Sequence, residues 1–341
     1  MFTFQKDQTP YVIAEVGQNH QGSLETALEF IEIFASKGAN AVKFQTRNNK
    51  TLFSKNAYEK SYDSENAFAN SYGEHRECLE LNLEWLPKIK ETCIKNNVAF
   101  MSTPFDEPSL EILLELDIDI IKIASFDLGN LPFINKIGKT MKPVVISVGG
   151  GHEHHIDASI EILLSYHDNI AILHCVSEYP CEFNRLGLSN IKKLIKKFPE
   201  CTIGSSDHFN GILSGPVAYM QGARVFEKHV TLNRAWKGTD HSFALEPNGF
   251  SNFVRDLKRT PEMLNLKPKH DLGKEYVFQK LGKSIVAYED LEKDSKLTLD
   301  NLSGIIFNEQ HIPVRESHRI IGKKIKRAIK KGEPIIEKDL Y

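Results

Sequence analysis

Eight short apolar runs, spaced almost evenly over the first three quarters of the chain, constrain this sequence more than any other feature. They occupy residues 11–20, 41–46, 98–105, 120–125, 144–147, 170–179, 202–208 and 225–229. Most are followed by an amphipathic segment of helical length, at 24–37, 82–96, 107–116, 130–140, 153–166, 187–198, 211–222 and 249–265. Strand–helix alternation repeated eight times predicts a parallel sheet closed on itself, an α/β fold of the (β/α)8 or TIM-barrel class. Such a barrel needs roughly 250 residues, which sets the first domain at 1–265. In this fold the C-terminal ends of all eight strands meet at one mouth, where active sites form. The runs end in polar residues: Glu15, Lys43, Gln45, Thr103, Lys122, Ser125, Ser147, Ser177, Ser206, His208, Glu227 and His229. Side chains distant in sequence are thereby expected at one place.

Two interruptions stand out. Residues 47–80 are polar and rich in Asn, Ser, Glu and Tyr. They are far longer than an ordinary strand-to-helix loop, and an insertion at the mouth reads as a lid or substrate clamp. After residue 265 the texture changes. Residues 266–280 read as a linker, and 281–341 as a small second domain with short β-like runs, near the lower size limit for independent folding. The run Lys323 to Lys331 alternates basic and apolar residues and predicts a strand with one solvated face.

Composition excludes several classes. The net charge of −2 argues against a nucleic-acid binder. No apolar stretch approaches the ~18 residues of a membrane span, and the first residues lack a signal-peptide core, so a cytoplasmic location is expected. The five cysteines (78, 93, 175, 181 and 201) form no CxxC pair. Neither a disulfide framework nor a zinc ribbon is supported, and reduced thiols are expected.

His208 and His229 end neighbouring strands and are the candidate metal ligands. Two imidazoles with positions left open suit an ion such as Mn²⁺ or Mg²⁺ that retains water and accepts substrate oxygen. Lys43 and Lys122 interrupt apolar strands and are expected to face the mouth, towards an anionic substrate such as a phosphate or carboxylate; the alternative is ion pairing with Glu15 or Glu227. Ser125, Ser147, Ser177 and Ser206 offer hydroxyls for phosphate oxygens. Glu15, Asp127, Glu227 and Asp240 supply carboxylates to orient hydroxyls or move a proton, and Gln45 and Tyr179 suit a sugar. The cluster His152, His154 and His155 is expected to begin a helix rather than to ligate a metal.

In this order the motifs resemble the sialic acid synthase family, the phosphoenolpyruvate-dependent N-acetylneuraminate, legionaminate and pseudaminate synthases. The resemblance rests on IAEVGQNHQG at 13–22, VKFQT at 42–46, STPF at 102–105, IKIAS at 121–125, SDH at 206–208, EKH at 227–229 and GTDH at 238–241. It implies that His208 and His229 hold a divalent cation, Mn²⁺ in relatives, with Mg²⁺ or Co²⁺ as alternatives. Lys43, Thr103, Lys122, Ser125, Ser147, Ser177 and Ser206 would surround phosphoenolpyruvate. Glu15, Gln45, Tyr179 and Asp240 would address an acetamido sugar, and Glu15, Lys43, Lys122, Asp127 and Glu227 would serve catalysis. The C-terminal module resembles the family's antifreeze-like (SAF, β-clip-type) domain, which implies a domain-swapped homodimer. The chain departs from the family at several points. Ser147 is followed by Val-Gly-Gly-Gly, position 176 is Val, and 127 is Asp rather than Glu. The family's Lys-Arg-Pro-Gly is replaced by LSGII at 302–306, leaving Arg315 or Arg319 as substitutes for its arginine. The rival readings are a Schiff-base aldolase using Lys43 or Lys122, a 3-deoxy-octulosonate-type synthase, and a non-catalytic carbohydrate-binding protein.

Overall fold

A computed structural model describes residues 3–7 and 9–341. It divides into two compact units, Met1–Leu264 and Asn265–Tyr341. In the first, eight parallel strands close a barrel in sequence order. They are β1 (Tyr11–Gly17), β2 (Ala41–Thr46), β3 (Ala99–Pro104), β4 (Ile120–Ile123), β5 (Val144–Ser147), β6 (Ile170–Cys175), β7 (Thr202–Asp207) and β8 (Val225–His229). The long helices fall where the amphipathic segments predict them. Helix α1 (Leu24–Ser36) follows β1 and is capped by the Ser23 side chain, as the sequence anticipates. The insertion after β2 folds into three short helices, α2 (Asn49–Leu52), α3 (Lys55–Tyr58) and α4 (Tyr72–Glu77), before α5 (Leu86–Lys95) resumes the pattern. Then come α6 (Glu107–Glu115), α7 (Leu131–Lys139), α8 (Glu153–Leu164), α9 (Asn190–Lys197), α10 (Ser214–Met220) and α11 (Pro247–Met263).

The period of two along each strand sorts side chains into two cores. Val12, Val42, Phe44, Phe100, Ile121, Val144, Ile146 and Phe226 point outward and pack under the helices with Phe30, Phe34 and Phe250. Each such buried side chain contributes about 1.5–3 kcal/mol. Tyr11, Ile13, Ala41, Met101, Ile120, Val145, Leu173 and Val225 point inward and fill the lower barrel. Two residues further on, the same inward parity reaches Glu15, Lys43, Thr103, Lys122, Ser147 and Glu227. An apolar plug thus carries a polar upper layer. Register places Glu15 beside Lys43 on one side and beside His229 on the other.

The second unit contains α12 (Tyr276–Leu281) and an antiparallel pair, β9 (Ser284–Ala287) and β10 (Leu302–Ile305). Its core is aliphatic: Ile285, Leu297, Ile320, Ile325, Ile329, Ile335 and Leu340 are buried. Arg327 grips Asp339 through two nitrogens, at 2.7 and 3.0 Å. The strand expected over 323–331 is not formed. Lys324, Ile325 and Ile329 instead make isolated bridges to Lys296, Leu340 and Leu291. Ile325 and Ile329 are buried four residues apart because each meets a different partner, so no continuous ladder develops. Arg319 is paired with Glu337 at 3.2 Å, whereas Arg315 lies over the Phe278 ring. Among the described residues no helix is long and apolar enough to cross a membrane.

Candidate active site

The upper layer of the barrel opens into a cavity of about 960 Å³. Of the residues singled out in the sequence, Glu15, Lys43, Gln45, Thr103, Lys122, Ser125 and Asp127 line it. Ser147, Tyr179, Ser206, His208, Glu227, His229 and Asp240 line it too. Ser177 departs from the expectation and is not on the wall. Its Oγ is buried, unpaired, beside Gly149.

Lys43 sits at the centre of the charge. Its Nζ lies 2.7 Å from Glu15 Oε2, 3.6 Å from Glu227 Oε2 and 3.3 Å from Thr103 Oγ1. The ion pairing and the mouth-facing position are therefore both realised. Burial, reinforced by the Glu227 charge and opposed by Lys43, pushes the Glu15 carboxyl up to about 7. Glu227 is buried as well, but Lys122 and Lys43 hold it below the usual carboxylate range, and Ser206 donates to it at 3.1 Å. Burial lowers Lys122, whose Nζ donates to the Ile123 carbonyl at 3.0 Å. Gly17, with φ +55°, lets the chain turn directly after Glu15; a Cβ there would stand 3.2 Å from Glu15 Oε1 and 3.3 Å from Gln45 Nε2.

The cavity that Lys122 lines also carries a group of small hydroxyls. Ser147 Oγ and Ser177 Oγ are buried without partners, and Ser125 Oγ accepts the Gly149 N–H at 3.1 Å. A Cβ on Gly149 would fall 2.5 Å from Ser177 Oγ and 3.0 Å from Ser125 Oγ, so glycine keeps this space open. Unpaired buried hydroxyls beside an ammonium group make an anion site once an oxyanion supplies the acceptors.

Opposite, the His208 and His229 rings stand 5.3 Å apart between centroids. Burial drives both below the ordinary imidazole range, so both are neutral at pH 7 and able to ligate. His208 Nδ1 donates to the Val176 carbonyl at 2.8 Å, which leaves Nε2 with its lone pair. His229 Nδ1 is buried and unpartnered, 3.7 Å from Asp240 Oδ2. Among the described residues no third His, Cys, Asp or Glu completes a closed set. A pair of neutral imidazoles with open positions fits a divalent cation that keeps water or substrate oxygen in its shell. Tyr179 stacks on His208 at 3.8 Å, and the buried Phe243 packs edge-on against both histidines.

Sequence reasoning read the insertion as a lid or substrate clamp but named none of its contacts. Arg47, Phe53, Asn66, Tyr72 and Arg76 line the cavity. Arg47 and Arg76 are bridged by Glu80, at 3.2 and 3.6 Å. The insertion is fastened to the loop after β8 where Gly238 N–H donates to Asn66 Oδ1 at 3.0 Å. A run of polar residues carries no periodic signal to separate those facing inward from those facing solvent. The sequence therefore indicated only that an insertion stands at the mouth. The histidine cluster 152–155 begins α8, as expected, and does not line the cavity.

Comparison with known proteins adds a second line of support. Residues 30–269 match the NeuB family. The chain is 32% identical to human N-acetylneuraminate-9-phosphate synthase over 96% of its own length and 91% of that protein. It is 34% identical to N,N'-diacetyllegionaminic acid synthase of Campylobacter jejuni, covering 86% and 89% of the two chains. Among solved structures, N-acetylneuraminic acid synthetase from Leptospira borgpetersenii is similar with a TM-score of 0.69 and 30% identity, over 80% of this chain and 92% of that one.

Proposed function

The chain belongs to the NeuB family of sialic acid synthases, and from that footing we propose that its cavity joins phosphoenolpyruvate to the open-chain aldehyde of an acetamido sugar. The enzyme is a nonulosonic acid synthase, and its products would be a 3-deoxy-2-keto sugar acid and inorganic phosphate. The observation that carries the reading is one cavity that gathers three features. These are a lysine held between two carboxylates, a cradle of unpaired hydroxyls with a second lysine, and two neutral imidazoles.

Lys122, Ser125, Ser147, Ser206 and the open space at Gly149 would receive the phosphate, with Ser177 behind them; Lys43 and Thr103 would hold the carboxylate. Gln45, Tyr179 and Asp240 would orient the sugar. His208 and His229 would hold a divalent cation, Mn²⁺ in this reading with Mg²⁺ or Co²⁺ as substitutes, which when bound supplies Lewis acidity towards a carbonyl oxygen. The phosphoenolpyruvate methylene carbon attacks the aldehyde carbon. The new C–C bond leaves an alkoxide on the sugar and positive charge at C2, beside the enol oxygen. Glu15, near pH 7 an acid and a base in comparable amounts, gives its proton to the alkoxide and regains one from the water that adds to C2. Asp127 and Glu227 flank these transfers as fixed charges. The C2–O bond to phosphate then breaks as the C2 hydroxyl proton passes to the departing phosphate and the ketone forms. Groups already aimed at the phosphate need no reorganisation as its charge grows.

We also read residues 281–341 as an antifreeze-like domain exchanged within a homodimer, and the enzyme as cytoplasmic. The test is isotopic. With phosphoenolpyruvate carrying ¹⁸O at the bridging position, C–O cleavage delivers the label to phosphate. Label retained in the sugar acid would mean P–O cleavage and overturn the addition of water at C2, whereas pyruvate trapped on a lysine by borohydride in chelator would replace this mechanism with a Schiff-base aldolase.

A further inference from the structure

The last strand of the barrel buries a lysine that none of this chemistry uses. On β8 the inward residues are Glu227 and His229; Lys228 between them points away from the cavity and is completely buried. Lysine is rarely buried unless paired, and here its partner is Asp207, directly opposite in the β7–β8 register. Lys228 Nζ donates to Asp207 Oδ1 and to the Phe209 carbonyl. Asp207 Oδ1 also accepts the Phe209 N–H at 3.0 Å, and its Oδ2 accepts the Ser214 hydroxyl at 2.6 Å. The residues immediately before and after His208 are thus tied to the same pair of buried charges. From the other side, the His208 carbonyl accepts the Cys181 N–H at 3.1 Å and Val176 takes the ring proton.

A buried ion pair loses several kcal/mol to desolvation and is often replaceable by apolar residues without loss of stability. Its use here calls for a purpose that an apolar pair would not serve. The ladder of β7 stops at Asp207, and the chain must then turn while keeping the imidazole aimed inward. Beyond the ladder the backbone is paired through the isolated bridge between Cys181 and Phe209, and the Lys228 ammonium adds a side-chain restraint by holding the carboxylate on one flank and the carbonyl on the other.

We propose that Lys228 and Asp207, with Ser214, are positioning residues that hold His208 in a ligating pose before any cation arrives. This rests on the metal reading above and goes beyond it, by making cation affinity depend on side chains outside the cavity. Removing outer partners of a metal-binding histidine weakens binding by about 10- to 100-fold.

The test is calorimetric titration of Mn²⁺ into the metal-stripped full-length protein. The unsubstituted chain should bind Mn²⁺ and His208→Ala should not. The double variant Asp207→Asn with Lys228→Met, which removes both charges together, should keep the circular dichroism spectrum yet bind Mn²⁺ about 10- to 100-fold more weakly. At saturating Mn²⁺ its phosphate release should recover, with an unchanged KM for phosphoenolpyruvate. A double variant that binds Mn²⁺ as tightly as the unsubstituted chain overturns the positioning role and leaves the metal reading intact. An unsubstituted chain that binds no Mn²⁺ overturns the metal reading and this role with it. Should the double variant not fold, Ser214→Ala decides: a weaker affinity for Mn²⁺ supports the role, and an identical affinity overturns it.

Discussion

Replacing Lys43 by methionine tests the electrostatics of the site without reference to any ligand. Methionine keeps the volume and removes the cation that lies 2.7 Å from Glu15, leaving two buried carboxylates on either side of the gap that Lys43 now fills. Breaking a buried pair from one side costs about 3–5 kcal/mol when the orphaned charge must persist. Glu15 has an escape, because it can take up a proton. Its carboxyl stands at about 7 in the native enzyme, against 4.5 in the unfolded chain, and loss of Lys43 raises it further. A carboxyl raised by folding contributes stability that is full below the unfolded value and declines as pH climbs to the folded one. In the native enzyme that decline ends near pH 7; in the variant it continues upward. The stability difference between the two should therefore be nearly constant from pH 5 to 6 and then widen above pH 7 by about 1.4 kcal/mol per pH unit. Urea denaturation at pH 6, 7, 8 and 9 measures this, and both tryptophans, Trp85 and Trp236, lie in the barrel, so their fluorescence reports that unit alone. A difference that stays level across this range would refute the coupling of Glu15 to Lys43.

Lys122→Ala should raise KM for phosphoenolpyruvate by about tenfold or more, the loss of a charge-assisted contact of roughly 1.5–3 kcal/mol, as read by steady-state phosphate release; an unchanged KM would make Lys122 structural. Gly149→Ala drives a methyl group against the Ser177 and Ser125 hydroxyls, which can rotate aside only by abandoning the cradle. Its KM for phosphoenolpyruvate should rise several-fold while the thermal midpoint moves little, and a variant with unaltered KM would place the phosphate elsewhere.

The barrel was readable because its physics is periodic. Inward parity along β1, β2, β4 and β8 carries Glu15, Lys43, Lys122 and Glu227 to one level, and the spacing of two that does so is visible in the sequence. Outside the ladder the reading loosened. Ser177 lies two residues beyond the end of β6, and its hydroxyl turns behind Gly149 instead of onto the wall. The basic run after Gly322 mimicked a strand, but Lys324, Ile325 and Ile329 found three separate partners. Arg47 and Arg76 belong to an insertion whose inward face no pattern reveals.

By itself the sequence determined the closed barrel, the level at which polar residues begin, and which strands supply histidine, lysine and carboxylate, since strand alternation and burial follow from residue order alone. Only the tertiary structure decided how the charges pair: that one lysine serves two carboxylates, that the Glu15 carboxyl is raised to about 7, and that a third buried lysine pairs with Asp207 beside His208. Those outcomes depend on distances of 2.7–3.6 Å between residues up to 184 positions apart, and electrostatic energy in a dry interior is set by distance and burial, neither of which a linear sequence contains.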